Sequence, residues 1–178
     1  MRVTLSALPQ DAAWVSVVTV AAAAAVVAPT RAFAVDYLSA EQAARLMFPD
    51  ADRFEAQTLT LSAAQLQQLE AQGLRGRSAT LPVQVARQGG ATLGYVITDE
   101  VIGKVELIGY AVGIALDGSV KQIEILSYRE SHGHEIRLPA WRKQFVGKGP
   151  AAALRVGDDI ANISGATLSC NHVTDGVR

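Results

Sequence analysis

The segment Ile163-Ser164-Gly165-Ala166-Thr167-Leu168-Ser169 sets hydroxyls among small residues at the mouth of an apolar-periodic run, Leu168, Val173 and Val177. Small residues let a backbone turn approach a ligand closely, and the periodicity predicts a terminal helix from about Leu168. Thr167 then lies at or just before the helix N-terminus. The first N–H groups of a helix have no intrahelical partner, and the macrodipole adds positive potential there. Such an end favours a phosphate, and a hydroxyl placed at it is suited to hold a phosphate ester. A plainer task fits the same residues, because Ser164 or Thr167 could simply cap the helix. Asn162-Ile163-Ser164-Gly165-Ala166 lacks the flanking glycines of a nucleophile elbow, and the chain has no Walker A or G-x-G-x-x-G pattern.

A second group of chemically capable residues is Glu130-Ser131-His132-Gly133-His134. A His-Gly-His pair can ligate a metal, but no third ligand is visible beside it. Arg129, Arg137, Arg142, Lys143 and Lys148 outnumber Glu130 and Glu135 nearby, which suits a phosphate, an anionic reduced cofactor or an acidic partner, or else a solvated face. The single cysteine, Cys170, excludes an intrachain disulfide and any multi-cysteine metal centre, and its helical position predicts buried packing. With 16 Lys+Arg against 17 Asp+Glu, the chain lacks the basic surplus of a nucleic-acid binder.

These residues need a frame, and the frame predicted is one α+β domain over residues 35–178. It consists of antiparallel β-hairpins forming a sheet packed with short helices. Residues 1–34 read differently. Trp14–Ala28 is an uncharged apolar run behind Arg2, followed by Pro29 and by Ala32-Phe33-Ala34, the layout of a secretory signal peptide. The run is shorter than a membrane span needs, which favours a cleaved signal over the alternative, a retained anchor that keeps the protein membrane-associated. The mature chain is therefore expected to begin near Val35, in the periplasm or another extracytoplasmic space. Ser39-Ala40-Glu41-Gln42 and Ser62-Ala63-Ala64-Gln65 are capping boxes that open two short helices, the first ended by Pro49 and the second by Gly73. Leu81–Arg87 and Thr92–Thr98 pair through Gly89-Gly90. Val105–Leu116 and Ser119–Tyr128 pair through Asp117-Gly118, expected as a type I′ turn. A short helix around Trp141–Phe145 precedes the terminal one.

Ser164-Gly165-Ala166-Thr167 with Leu168-Ser169 resembles the flavinylation motif of the FMN-binding domain family. That family includes extracytoplasmic subunits of the Rnf and sodium-pumping NADH:quinone reductase complexes. Glu130-Ser131-His132-Gly133 resembles its E-T-P-G turn, and Trp141, Gln144-Phe145 and Gly147-Lys148 resemble its W-x-x-Q-F-x-G-K segment. The resemblance implies covalent FMN, joined through its phosphate to Thr167 by a separate flavin transferase. It implies a cofactor site made of Ser164, Gly165, Ala166, Thr167, Leu168 and Ser169 with Glu130, Ser131 and Gly133. It further implies an electron carrier that serves a membrane or periplasmic redox partner. The family's aspartate three residues before the serine is replaced here by Ala161. A flavin-free assembly module and a flavin-dependent reductase of a small acceptor are the other readings.

Overall fold

The computed structural model describes residues 35–74 and 78–178, so the predicted signal peptide lies outside the described residues. Both capping boxes form. Ser39 caps α1 (Ala40–Met47) and Ser62 caps α2 (Ala63–Ala71), each accepting from the N3 backbone while the N3 glutamine returns a bond. Six strands make one antiparallel sheet: β1 (Val35–Asp36), β2 (Arg53–Thr60), β3 (Thr80–Gln88), β4 (Ala91–Ile102), β5 (Leu107–Ala115) and β6 (Val120–Tyr128). Their order is β1-β6-β5-β4-β3-β2, a meander closed at the β6 edge by the short β1.

Both predicted hairpins are present, β3–β4 across Gly89-Gly90 and β5–β6 across Asp117-Gly118. The second turn is not type I′. That type needs positive φ at both central residues, and Leu154 is the only described non-glycine residue with positive φ. Asp117 instead uses its carboxylate to accept from the Ser119 N–H (2.9 Å) and hydroxyl (2.7 Å). Strands β1 and β2 go beyond the sequence reading. Strand β2 is an edge strand with little buried surface, so its side chains show no in–out alternation.

The sheet is covered on both faces. Ala43, Ala44 and Met47 of α1, with Phe48 at its C-cap, pack over Ala86, Val96 and Ala111 on one face, where the small strand residues let the helix sit close. On the other face Ile108, Tyr110, Val112, Ile123, Ile125 and Tyr128 meet Trp141, Phe145, Cys170 and Val173. This second layer comes from α3 (Pro139–Arg142), the 3-10 turn that follows it, and α4 (Thr167–Val177). Trp141 and Phe145 stack edge to face with centroids 5.0 Å apart, worth about 0.5–1.5 kcal/mol beyond their burial.

One irregularity bears on the site. The β5–β6 register shifts between Gly109↔Ser127 and Tyr110↔Ile125, which leaves Leu126 as the extra residue of a bulge. Residues three apart on a regular strand face opposite sides. The bulge brings Tyr128 round to the face of Ile125, where it joins the core beneath α4.

Candidate functional site

The backbone reverses at Ile163–Ala166, closed by the Ala166 N–H donating to Ile163 O (3.0 Å). Gly165 has φ +83° in the third position, where a type II turn requires a left-handed residue. Helix α4 starts at once, its first intrahelical bond running from Cys170 N–H to Ala166 O (2.9 Å). Thr167 is the first helical residue and Ala166 the N-cap, with no side-chain hydrogen bond at the cap. Neither Ser164 nor Thr167 therefore caps the helix. Thr167 is exposed, and its Oγ1 accepts from the Asn162 side-chain amide (3.0 Å). Uncapped N–H groups beside an exposed hydroxyl are suited to a phosphate oxygen.

The second motif packs against this turn. Gly133, with φ +88°, lies so close to Ala166 that a Cβ on it would fall 2.5 Å from the Ala166 Cβ and 2.7 Å from the Tyr128 hydroxyl. Tyr128 ties the pieces together: its hydroxyl donates to His132 O (2.5 Å) and lies 3.2 Å from Ser169 Oγ. Ser169 is buried, whereas Ser164, Gly165, Thr167, Leu168 and Ser131 are exposed. Burial pushes the Tyr128 hydroxyl above its ordinary pKa, so it stays a donor. Glu130 Oε1 accepts from the N–H groups of Val105 (2.6 Å) and Glu106 (2.9 Å), which fastens the β4–β5 turn beside the site. Partial burial opposes ionisation of Glu130, yet these backbone donors outweigh it and hold its pKa below the usual carboxylate value.

The third motif grips the stretch that leads into the turn. Trp141 Nε1 donates to Ala161 O (2.9 Å), while the Ala161 N–H donates to Gln144 Oε1 (2.7 Å). Gln144 Nε2 in turn donates to Trp141 O (3.1 Å). Both backbone groups of residue 161 are thus held by side chains of one segment. Asp159 is occupied too, accepting from the Arg155 and Leu154 N–H groups and pairing with Lys148 (3.0 Å). Those partners hold its pKa down to about 2. It is therefore not free to replace the carboxylate missing at Ala161.

Most of the expected basic patch has structural employment. Arg142 pairs with the buried Glu124 and donates to Ile123 O and Arg137 O. Arg137 stacks over Tyr37, and Arg129 reaches Asp36 at 3.9 Å. Cys170 is fully buried, as expected, and burial pushes its thiol pKa up. His132 bonds Ser131 Oγ through Nδ1 (2.9 Å), and no three His, Cys, Asp or Glu among the described residues converge on a metal position.

A cavity of about 560 Å³ is lined by Leu61, Leu69, Val101, Ile102, His172 and Gly176 and includes none of residues 130–133 or 163–168. It lies towards the far end of α4. Leu168, Ile102 and Val105 are exposed, and the His172 ring one turn beyond Leu168 meets Ile102 O at 2.5 Å. Asn162 was not among the site residues expected from sequence. Its signal would have been an amide five residues ahead of the threonine across a tight turn.

Residues 103–178 match the family model of the FMN-binding domain, which bears out the family resemblance. A sequence search of the curated proteins finds no match. Among solved structures, the fold is similar to the crystal structure of NqrC from Shewanella oneidensis, with a TM-score of 0.53 and 16% identity over 75% of this chain and 79% of that one. At that identity the likeness concerns the fold.

Proposed function

From the match of residues 103–178 to the FMN-binding domain, we propose that this protein is an extracytoplasmic electron-transfer flavoprotein carrying FMN as a phosphoester on Thr167. The observation that carries the reading is an exposed hydroxyl on the first residue of a helix whose N-terminus no side chain caps. The chain's part is positional. Gly165 turns the backbone, Gly133 and Tyr128 seat the turn on the sheet, and the uncapped N–H groups of α4 offer hydrogen bonds to phosphate oxygens. Bound flavin supplies the one- and two-electron chemistry, and the protein supplies tethering, orientation and electrostatics. A tether suits an exported protein, because free cofactor is scarce outside the cytoplasm. A flavin transferase is its maturation partner, and a membrane or periplasmic redox protein exchanges its electrons.

The test is covalent labelling. Exported protein produced with a flavin transferase gains the mass of FMN less one water, and its band fluoresces after denaturing electrophoresis. Thr167→Ala loses both signals and keeps its fold within about 0.5 kcal/mol, because a surface residue outside any cap is being changed. Label persisting in that variant, or mapping elsewhere than Ile163–Arg178, sinks the assignment. Wild-type protein left colourless beside an active transferase points to the flavin-free module.

A further inference from the structure

The hydrogen bond from Asn162 Nδ2 to Thr167 Oγ1, 3.0 Å long, crosses the turn rather than running along the chain. Asn162 follows directly on Ala161, whose N–H and C=O are both held, by Gln144 and Trp141. The turn then reverses the chain through the Ala166-to-Ile163 bond. The amide therefore projects from a fixed piece of backbone onto an exposed hydroxyl.

We propose that Asn162 is the positioning residue for the acceptor hydroxyl of Thr167, an inference that rests on Thr167 being the modified residue. A hydroxyl oxygen carries one proton and two lone pairs. The amide N–H engages one lone pair and fixes the side-chain rotamer, which leaves the second lone pair for attack and the proton facing outward. In the transfer the Oγ1–P bond forms. The P–O bond of a flavin phosphoanhydride breaks, with its electron pair going to the leaving nucleotide phosphate. The hydroxyl proton passes to a base on the transferase, since a neutral amide cannot take it. No atom changes oxidation state. Asn162 thus supplies orientation alone, the part of catalysis that depends on the reacting atom being held in line.

The experiment follows labelling of the full exported chain by purified transferase with flavin adenine dinucleotide as donor. Asn162→Ala lowers the rate at saturating protein about tenfold, the scale of one lost hydrogen bond, and leaves the half-saturating protein concentration unchanged. Trp141→Phe, which removes the indole N–H that holds Ala161 along with part of a buried ring, lowers the same rate by a smaller factor. The distinguishing measurement is the same pair of rates in a Thr167→Ser background. Serine lacks the branch that stiffens χ1 of threonine, so losing Asn162 costs more there than beside threonine. A merely structural role gives the same factor in both backgrounds and overturns the proposal. So does wild-type rate in Asn162→Ala, or a change confined to half-saturation, which marks a docking contact for the transferase. These results leave Thr167 as the modified residue. Only an unlabelled wild type or a labelled Thr167→Ala variant removes that reading, and this one with it.

Discussion

Substituting Gly133 with alanine tests whether the two motif turns depend on direct contact. The added methyl would lie 2.5 Å from the Ala166 Cβ, 2.7 Å from the Tyr128 hydroxyl and 3.3 Å from the Ala166 Cα, on a backbone with φ +88°. Left-handed backbone costs an alanine about 1–2 kcal/mol. Forcing a methyl into a filled site costs about 1–3 kcal/mol more. The total of roughly 2–5 kcal/mol corresponds to a fall in Tm on the order of 10 °C for a domain of this size. Circular dichroism melting and urea titration both read it. Ala166→Gly separates the two causes. Alone it removes one buried methyl, about 0.8 kcal/mol, part of which glycine recovers by suiting an N-cap better than alanine. Combined with Gly133→Ala it relieves the methyl–methyl contact and leaves the φ strain and the Tyr128 contact, so the pair is non-additive by about 1 kcal/mol in the favourable direction. A Gly133→Ala variant within about 0.5 kcal/mol of wild type, or strict additivity of the pair, refutes the contact as described.

Tyr128→Phe removes the bonds to His132 O and Ser169 Oγ and costs about 1–3 kcal/mol in urea unfolding, because both partners lose their tyrosine bond in a largely buried place. Glu130→Gln keeps an acceptor for the Val105 and Glu106 N–H groups but drops the charge. In flavin-loaded protein it raises the midpoint potential by up to about 45 mV, the worth of roughly 1 kcal/mol for one electron, whereas an unchanged potential places Glu130 away from the ring. Asp159 is held down to about 2 when folded, below its unfolded value near 4. Its contribution is therefore present above about pH 4 and lost as pH falls towards 2. Asp159→Asn flattens that part of the acid limb, and urea midpoints that keep the wild-type slope from pH 4 to 2 count against it.

What was legible in the sequence is what neighbouring residues decide. Ser39 with Gln42, and Ser62 with Gln65, satisfy each other's backbone within three residues, so both helices show their starts in the letters. The glycine-centred turn at 89–90 and the run leading to Thr167 are local in the same sense. Strand β2 was not legible, because an exposed edge imposes no apolar alternation on Arg53–Thr60. The geometry of Asp117-Gly118 was misjudged because Asp117 had a nearer partner in Ser119 than the left-handed region. Residue types at the site were readable, but not their pairings. Glu130 with Val105, Gly133 with Ala166, and Trp141 with Ala161 meet across 20 residues or more, and only the assembled sheet brings them together.

Cys170 turns the terminal helix into its own reporter. It is the only thiol in the chain, it is fully buried against the sheet, and it lies three residues after Thr167. A thiol reagent reacts as thiolate, and burial holds this group in its protonated form. Modification therefore waits for α4 to lift. With reagent in excess, the labelling half-time becomes a clock on that opening, read without mutation or added dye on the helix. Comparing the clock with and without a group on Thr167 would show whether the load at the helix's first residue steadies the helix or loosens it.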